Sequence, residues 1–88
     1  MITLSQAFRL CQIEDKPVFL QAVDDRSNDT VYFNPKWIRN HMDMRKIKVI
    51  RIEPLFEKYG PDYLGVLFVV RGISYIDLRR ISNDMLSR

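Results

Sequence analysis

Cysteine occurs once in the 88 residues, at Cys11, and histidine once, at His41. A single cysteine allows no intrachain disulfide, which removes the framework that small secreted domains rely on and points to a reducing, cytoplasmic setting. A zinc site needs several Cys, His or carboxylate ligands converging on one point, so no metal is expected, and no other cofactor. Glycine is also scarce, and Gly60, Gly65 and Gly72 fit neither the G-x-G-x-x-G nor the P-loop spacing, which leaves no loop of the kind that cradles phosphates. No apolar run approaches the roughly 18 residues that cross a bilayer, and Met1 to Leu10 lacks the basic-then-apolar order of a leader. Repeats, low-complexity tracts and Gly/Ser-rich linkers are missing as well.

What remains is an ordinary globular composition, 47% apolar and 28% charged with 11% aromatic residues. A chain this short removes only roughly 60–65% of its unfolded surface from water, so one core must serve all of it, and residues 1–88 are expected to form one domain.

The first signal is Thr3 with Gln6, the spacing of a capping box, followed by Leu4, Ala7, Phe8 and Cys11 on one helical face; a helix is expected over Leu4 to Gln12. Pro17 to Val23 reads as a strand whose proline tolerates a missing donor at the entry. The polar stretch Asp24 to Thr30 then leads to Val31-Tyr32-Phe33, a short returning arm. Asn34-Pro35 opens a helix to about Met42, because Asn caps the free amides and Pro at the first position lacks a donor that would have no partner. Arg45 to Glu53 reads as a strand whose alternation changes phase, Ile47 and Val49 giving way to Ile50 and Ile52, so either a bulge lies near Val49-Ile50 or both faces are partly covered there. Tyr63 to Val70 is the most apolar run and the candidate central strand. Ser74 and Asp77 repeat the capping-box spacing ahead of a final helix with Leu78, Ile81 and Met85 inward.

The order αβ(β)αββα predicts an α+β fold, a small antiparallel sheet of three to four strands with two main helices on one face and a short third helix. The first and last helices are expected to cover a face built from Val18, Leu20, Val66, Phe68 and Val70 or their alternates. Size and order suit the small accessory proteins of bacteria, phages and mobile elements.

No constellation of catalytic residues emerges, and the chain is expected to be no enzyme. Cys11 falls on an apolar helix face with no cation placed to activate it, so a buried thiol is the simpler reading. His41 follows Trp37 by one turn without an identifiable carboxylate or nucleophile partner. Asp25, Ser27 and Asp29 alternate as in a calcium loop, but Thr30 stands where such a loop has glycine and Lys36 where it has glutamate, which favours a polar turn.

Charge is unevenly spread. Between Lys36 and Arg51, six cations face only Asp43, a net of +5 where the whole chain carries +3, while Glu14 to Asp29 is net −3. Such polarity can steer a partner. The expected function is a non-catalytic interaction module that binds a protein partner or self-associates. The candidate partner-binding residues are Trp37, Arg39, Arg45, Lys46, Lys48 and Arg51, with Tyr59 and Tyr63 extending the aromatic surface. The alternative is nucleic-acid binding through the basic Lys36–Arg51 segment, against which stands the absence of any helix rich enough in Lys and Arg to fill a groove. No small-molecule substrate and no membrane partner is expected.

Overall fold

The computed structural model describes residues 1–14, 16–24 and 29–87. Among them the chain order is β1 (Ile2–Thr3), α1 (Leu4–Leu10), β2 (Val18–Ala22), β3 (Val31–Phe33), α2 (Pro35–His41), β4 (Lys48–Pro54), α3 (Leu55–Tyr59), β5 (Val66–Arg71) and α4 (Tyr75–Leu86). The fold is α+β, built on one mixed sheet in the order β1-β4-β5-β2-β3.

The local signals hold where side chains satisfy the backbone directly. Thr3 accepts from the Gln6 amide while the Gln6 side chain accepts from the Thr3 amide, a complete capping box at α1. Asn34 Oδ1 accepts from the amides of Lys36 and Trp37 at α2, and Ser74 accepts from the Asp77 amide at α4. The phase change in β4 is a bulge: Val49 faces Val70 and Arg51 faces Val69, so β4 advances two residues while β5 advances one.

The expected sheet needs two corrections. It has five strands, because Ile2–Thr3 pairs with Lys48–Val49 before α1 begins, and two residues are too few to show any alternation in sequence. It is also not purely antiparallel, since β2 lies parallel to β5 from Val18 opposite Val66 to Ala22 opposite Val70. Those strands are more than forty residues apart in the chain, so their pairing is a long-range choice that no local pattern records. A fourth helix, α3, lies between the two expected strands Arg45–Glu53 and Tyr63–Val70, where no helix was expected.

The two sides of the sheet differ. Val18, Leu20, Val49, Phe68 and Val70 point toward α1 and α4 and join Leu4, Phe8, Phe33, Ile38 and Leu78 in the main core, where Phe8 stacks on Phe68 at 5.8 Å between centroids. That contact adds about 1 kcal/mol beyond the area it buries. α4 is fixed over β3 by the buried Ser82, whose hydroxyl donates to the Tyr32 carbonyl at 3.1 Å. Among the described residues, the short α3 and the loop after it pack on the opposite side. There Leu55, Leu67 and Val69 form a smaller buried layer apart from the main cluster. Among the described residues no helix is long and apolar enough to cross a membrane.

Candidate functional site

Strand alternation sends Phe19 and Tyr32 to the side of the sheet away from α1 and α4, where their rings meet edge-on at 5.7 Å. Beside them, α3 follows β4 without a break. Its first residue, Leu55, is buried, and the Leu55 amide donates to the Gly65 carbonyl at 3.1 Å, which closes the α3–β5 loop back on β5. Gly65 permits that closure: its φ is +131°, and a Cβ there would lie 2.5 Å from the Pro17 carbonyl oxygen. The loop brings Tyr63 to 5.5 Å from Tyr59. The result is a pocket of about 280 Å³ lined by Phe19, Thr30, Leu55, Tyr59 and Tyr63. Tyr59 and Tyr63 are 51% and 54% exposed, and Phe56 and Leu64 add further apolar surface at 53% and 67%. Large rings left this open around a concavity form the kind of patch on which interfaces are centred.

The other end of the same side is basic. Lys48 stands opposite Arg71, and Arg51 follows one row along opposite Val69. Arg51 also holds Glu53 at 2.8 Å, two residues on along the same side of β4.

The six partner-binding candidates do not form one patch. Lys48 and Arg51 lie on the open side of the sheet. Arg45 and Lys46 lie in the turn before β4, with Asp43 at 3.7 and 4.0 Å. Trp37 and Arg39 project from α2 on the helix-covered side. Trp37 packs at 6.4 Å from Phe33, half-buried against the core, and its indole N–H finds no hydrogen-bond acceptor among the described residues. The Arg39 guanidinium donates to the carbonyls of Ile13 and Glu14 and sits 5.4 Å from the Phe8 ring centre, so its geometry ties α2 to the end of α1. Two members of the open side, Phe19 and Arg71, went unmarked in the sequence. The signal for each was present as strand alternation, but it becomes readable for Phe19 only once β2 is known to pair with β5, and for Arg71 only once the β4–β5 register is known.

His41 stacks on Trp37 at 4.4 Å with its Nδ1 3.0 Å from the Trp37 carbonyl, one turn back in its own helix. Cys11 is half-buried at the edge of the core; burial pushes its thiol up from the ordinary value, against a smaller downward pull from Lys16. Of the calcium-like alternation, Asp25 and Ser27 lie outside the described residues, and among those described no cluster of three His, Cys, Asp or Glu could hold a metal ion.

Compared with known proteins, the chain matches no protein-family model, no curated protein and no solved structure.

Proposed function

We propose that this chain is a non-catalytic interaction module that captures a segment of a protein partner in the aromatic pocket on the open side of its sheet. The observation that carries this reading is the ring of Phe19, Tyr59 and Tyr63 around a cavity of about 280 Å³, with Tyr59 and Tyr63 each about half exposed at 51% and 54%. A pocket of that size takes one large apolar or aromatic side chain, and its neighbours supply the water-excluding rim. The reading keeps the module in the cytoplasm, consistent with its lone cysteine.

Selection of a random displayed-peptide library on the purified chain tests it. Enriched peptides should share one large apolar anchor, bind wild type and Trp37→Ala alike, and lose at least tenfold in affinity to Tyr63→Ala. Absence of enrichment, or enrichment indifferent to Tyr59 and Tyr63, would sink the reading.

A second reading is favoured by one specific arrangement. Lys48, Arg71 and Arg51 share the open side of the sheet with the aromatic pocket, at its other end, and cations on one surface with stacking rings suit single-stranded nucleic acid. Titration with mixed-sequence single-stranded DNA and RNA at low and moderate salt separates the two. Binding that falls steeply with salt and is lost in Arg71→Glu would replace the peptide reading with this one.

A further inference from the structure

The outer edge of β4 is only partly paired. β1 covers Lys48 and Val49, and beyond them no strand among the described residues lies alongside Ile50 to Pro54. The Leu55 amide points to β5, so the alternation of an antiparallel strand turns the backbone groups of Ile52 and Pro54 the other way, outward. Pro54 thus has its missing donor on the free edge, where the sheet loses no ladder bond. Ile50 and Ile52 are each 37% exposed there, whereas Val49 is buried.

We propose that this edge pairs with the same edge of a second copy of the chain, antiparallel about a two-fold axis at Ile52. The sequence Ile50-Arg51-Ile52-Glu53-Pro54 is complementary to its own reversal. With Ile52 opposite the partner's Ile52, Arg51 stands opposite the partner's Glu53 and Glu53 opposite the partner's Arg51, all on the open side of the sheet. A slip of two residues either way sets Arg51 against the partner's Arg51 or Glu53 against the partner's Glu53, and like charges directly opposite are unfavourable. Charge therefore selects one register. Within one chain Arg51 already holds Glu53 at 2.8 Å on the open side, so the cross-axis arrangement exchanges one opposite-charge partner for another. At the axis the Ile52 amide and carbonyl exchange hydrogen bonds with their counterparts, the mode by which exposed edges recruit strands. Such an interface is isologous and closes at two copies.

This inference does not depend on the aromatic pocket's occupant. A two-fold axis normal to the sheet leaves both open sides facing the same way, so the dimer presents two pockets and two Lys48–Arg71 pairs on one continuous surface. A five-residue strand pair is a small interface, and a dissociation constant on the order of 100 μM is expected.

Sedimentation of the wild-type chain from about 10 μM to about 1 mM, concentrations bracketing that constant, tests it. The chain should pass from monomer to dimer. Arg51→Glu and Glu53→Arg should each stay monomeric alone, because each sets like charges opposite across the axis. Mixed in equal amounts they should form a heterodimer, because the first variant is acidic at both of these positions and the second basic at both, so every cross-axis pair unites opposite charges. Amide resonances of wild type should shift with concentration at Ile50 to Glu53 and not at Tyr63, a readout that needs no variant. Monomer throughout, variants that still dimerise alone, or a mixture that does not associate would each overturn the proposal.

Discussion

Lys48 on β4 and Arg71 on β5 are direct cross-strand partners on the open side of the sheet, two cations placed where neighbouring strands bring side chains closest. Like charges in that position oppose the sheet by a few tenths of a kcal/mol to about 1 kcal/mol. Arg71→Glu, which converts the pair to opposite signs, should therefore raise stability by about 0.5 kcal/mol and the melting temperature by about 2–4 °C. Thermal unfolding at low salt checks this, and the gain should shrink in high salt as the charges are screened. A variant that gains stability while losing affinity for an anionic ligand would mark the pair as kept for binding.

Gly65 is the closure point of the aromatic pocket. A methyl group there would meet the Pro17 carbonyl at 2.5 Å and Leu55 Cδ1 at 3.0 Å, with the backbone at a φ that side chains rarely adopt. Gly65→Ala should cost about 2–3 kcal/mol, combining backbone strain with a forced shift of β2 against β5. Gly60→Ala, where no atom lies within 4 Å, should cost less. Urea unfolding of the two variants compares them.

Arg39 projects from a basic segment and yet binds inward. Its guanidinium satisfies the carbonyls of Ile13 and Glu14 where the chain leaves α1, and it lies over Phe8 in the core. Arg39→Ala should lower stability by about 1–2 kcal/mol through lost hydrogen bonds and cation–π contact, and Arg39→Lys should recover only part of it, because an ammonium cannot reproduce the planar fork. A shifted urea midpoint at unchanged slope, with peptide binding intact, is the expected result.

Cys11 should react slowly. Burial raises its thiol pKa in the folded chain, so alkylation near pH 8 should be slower for the native than for the unfolded protein. The sign of the linkage follows: the unfolded thiol loses its proton first as pH rises through about 9, so the unfolded state is favoured and stability falls through that window. Cys11→Ala should remove that part of the alkaline decline, as read from unfolding curves between pH 8 and pH 10, about one unit on either side of the ordinary thiol value.

Local chemistry along the chain sets the elements whose ends are chemically marked. Thr3 with Gln6, Asn34 with Pro35, and Ser74 each satisfy free amides within three residues, and those contacts form at the starts of α1, α2 and α4. The phase change at Val49-Ile50 likewise marked where alternation breaks, because period-two alternation is a local property of one strand, while the register against β5 makes that break a bulge. The two alternating sets of β2 and β5 were legible for the same reason, but that Val18, Leu20, Phe68 and Val70 form the inward one is decided by the helices packed on that side.

Tertiary structure decided what depends on distant partners. The parallel pairing of β2 with β5 joins segments far apart in the chain, and β1 exists only because β4 offers an edge to Ile2 and Thr3. The open side was decided in the same way. Charge clustering in sequence grouped Arg39 with Lys48 and Arg51, but a helix and a strand send neighbouring side chains in different directions, so Arg39 reaches across the surface of the helix-covered side to Ile13, Glu14 and Phe8, and Arg71 stands beside Lys48. Phe19, Tyr59 and Tyr63 meet because α3 and the Gly65 turn fold back over β2, a contact between surfaces that no spacing along the chain encodes.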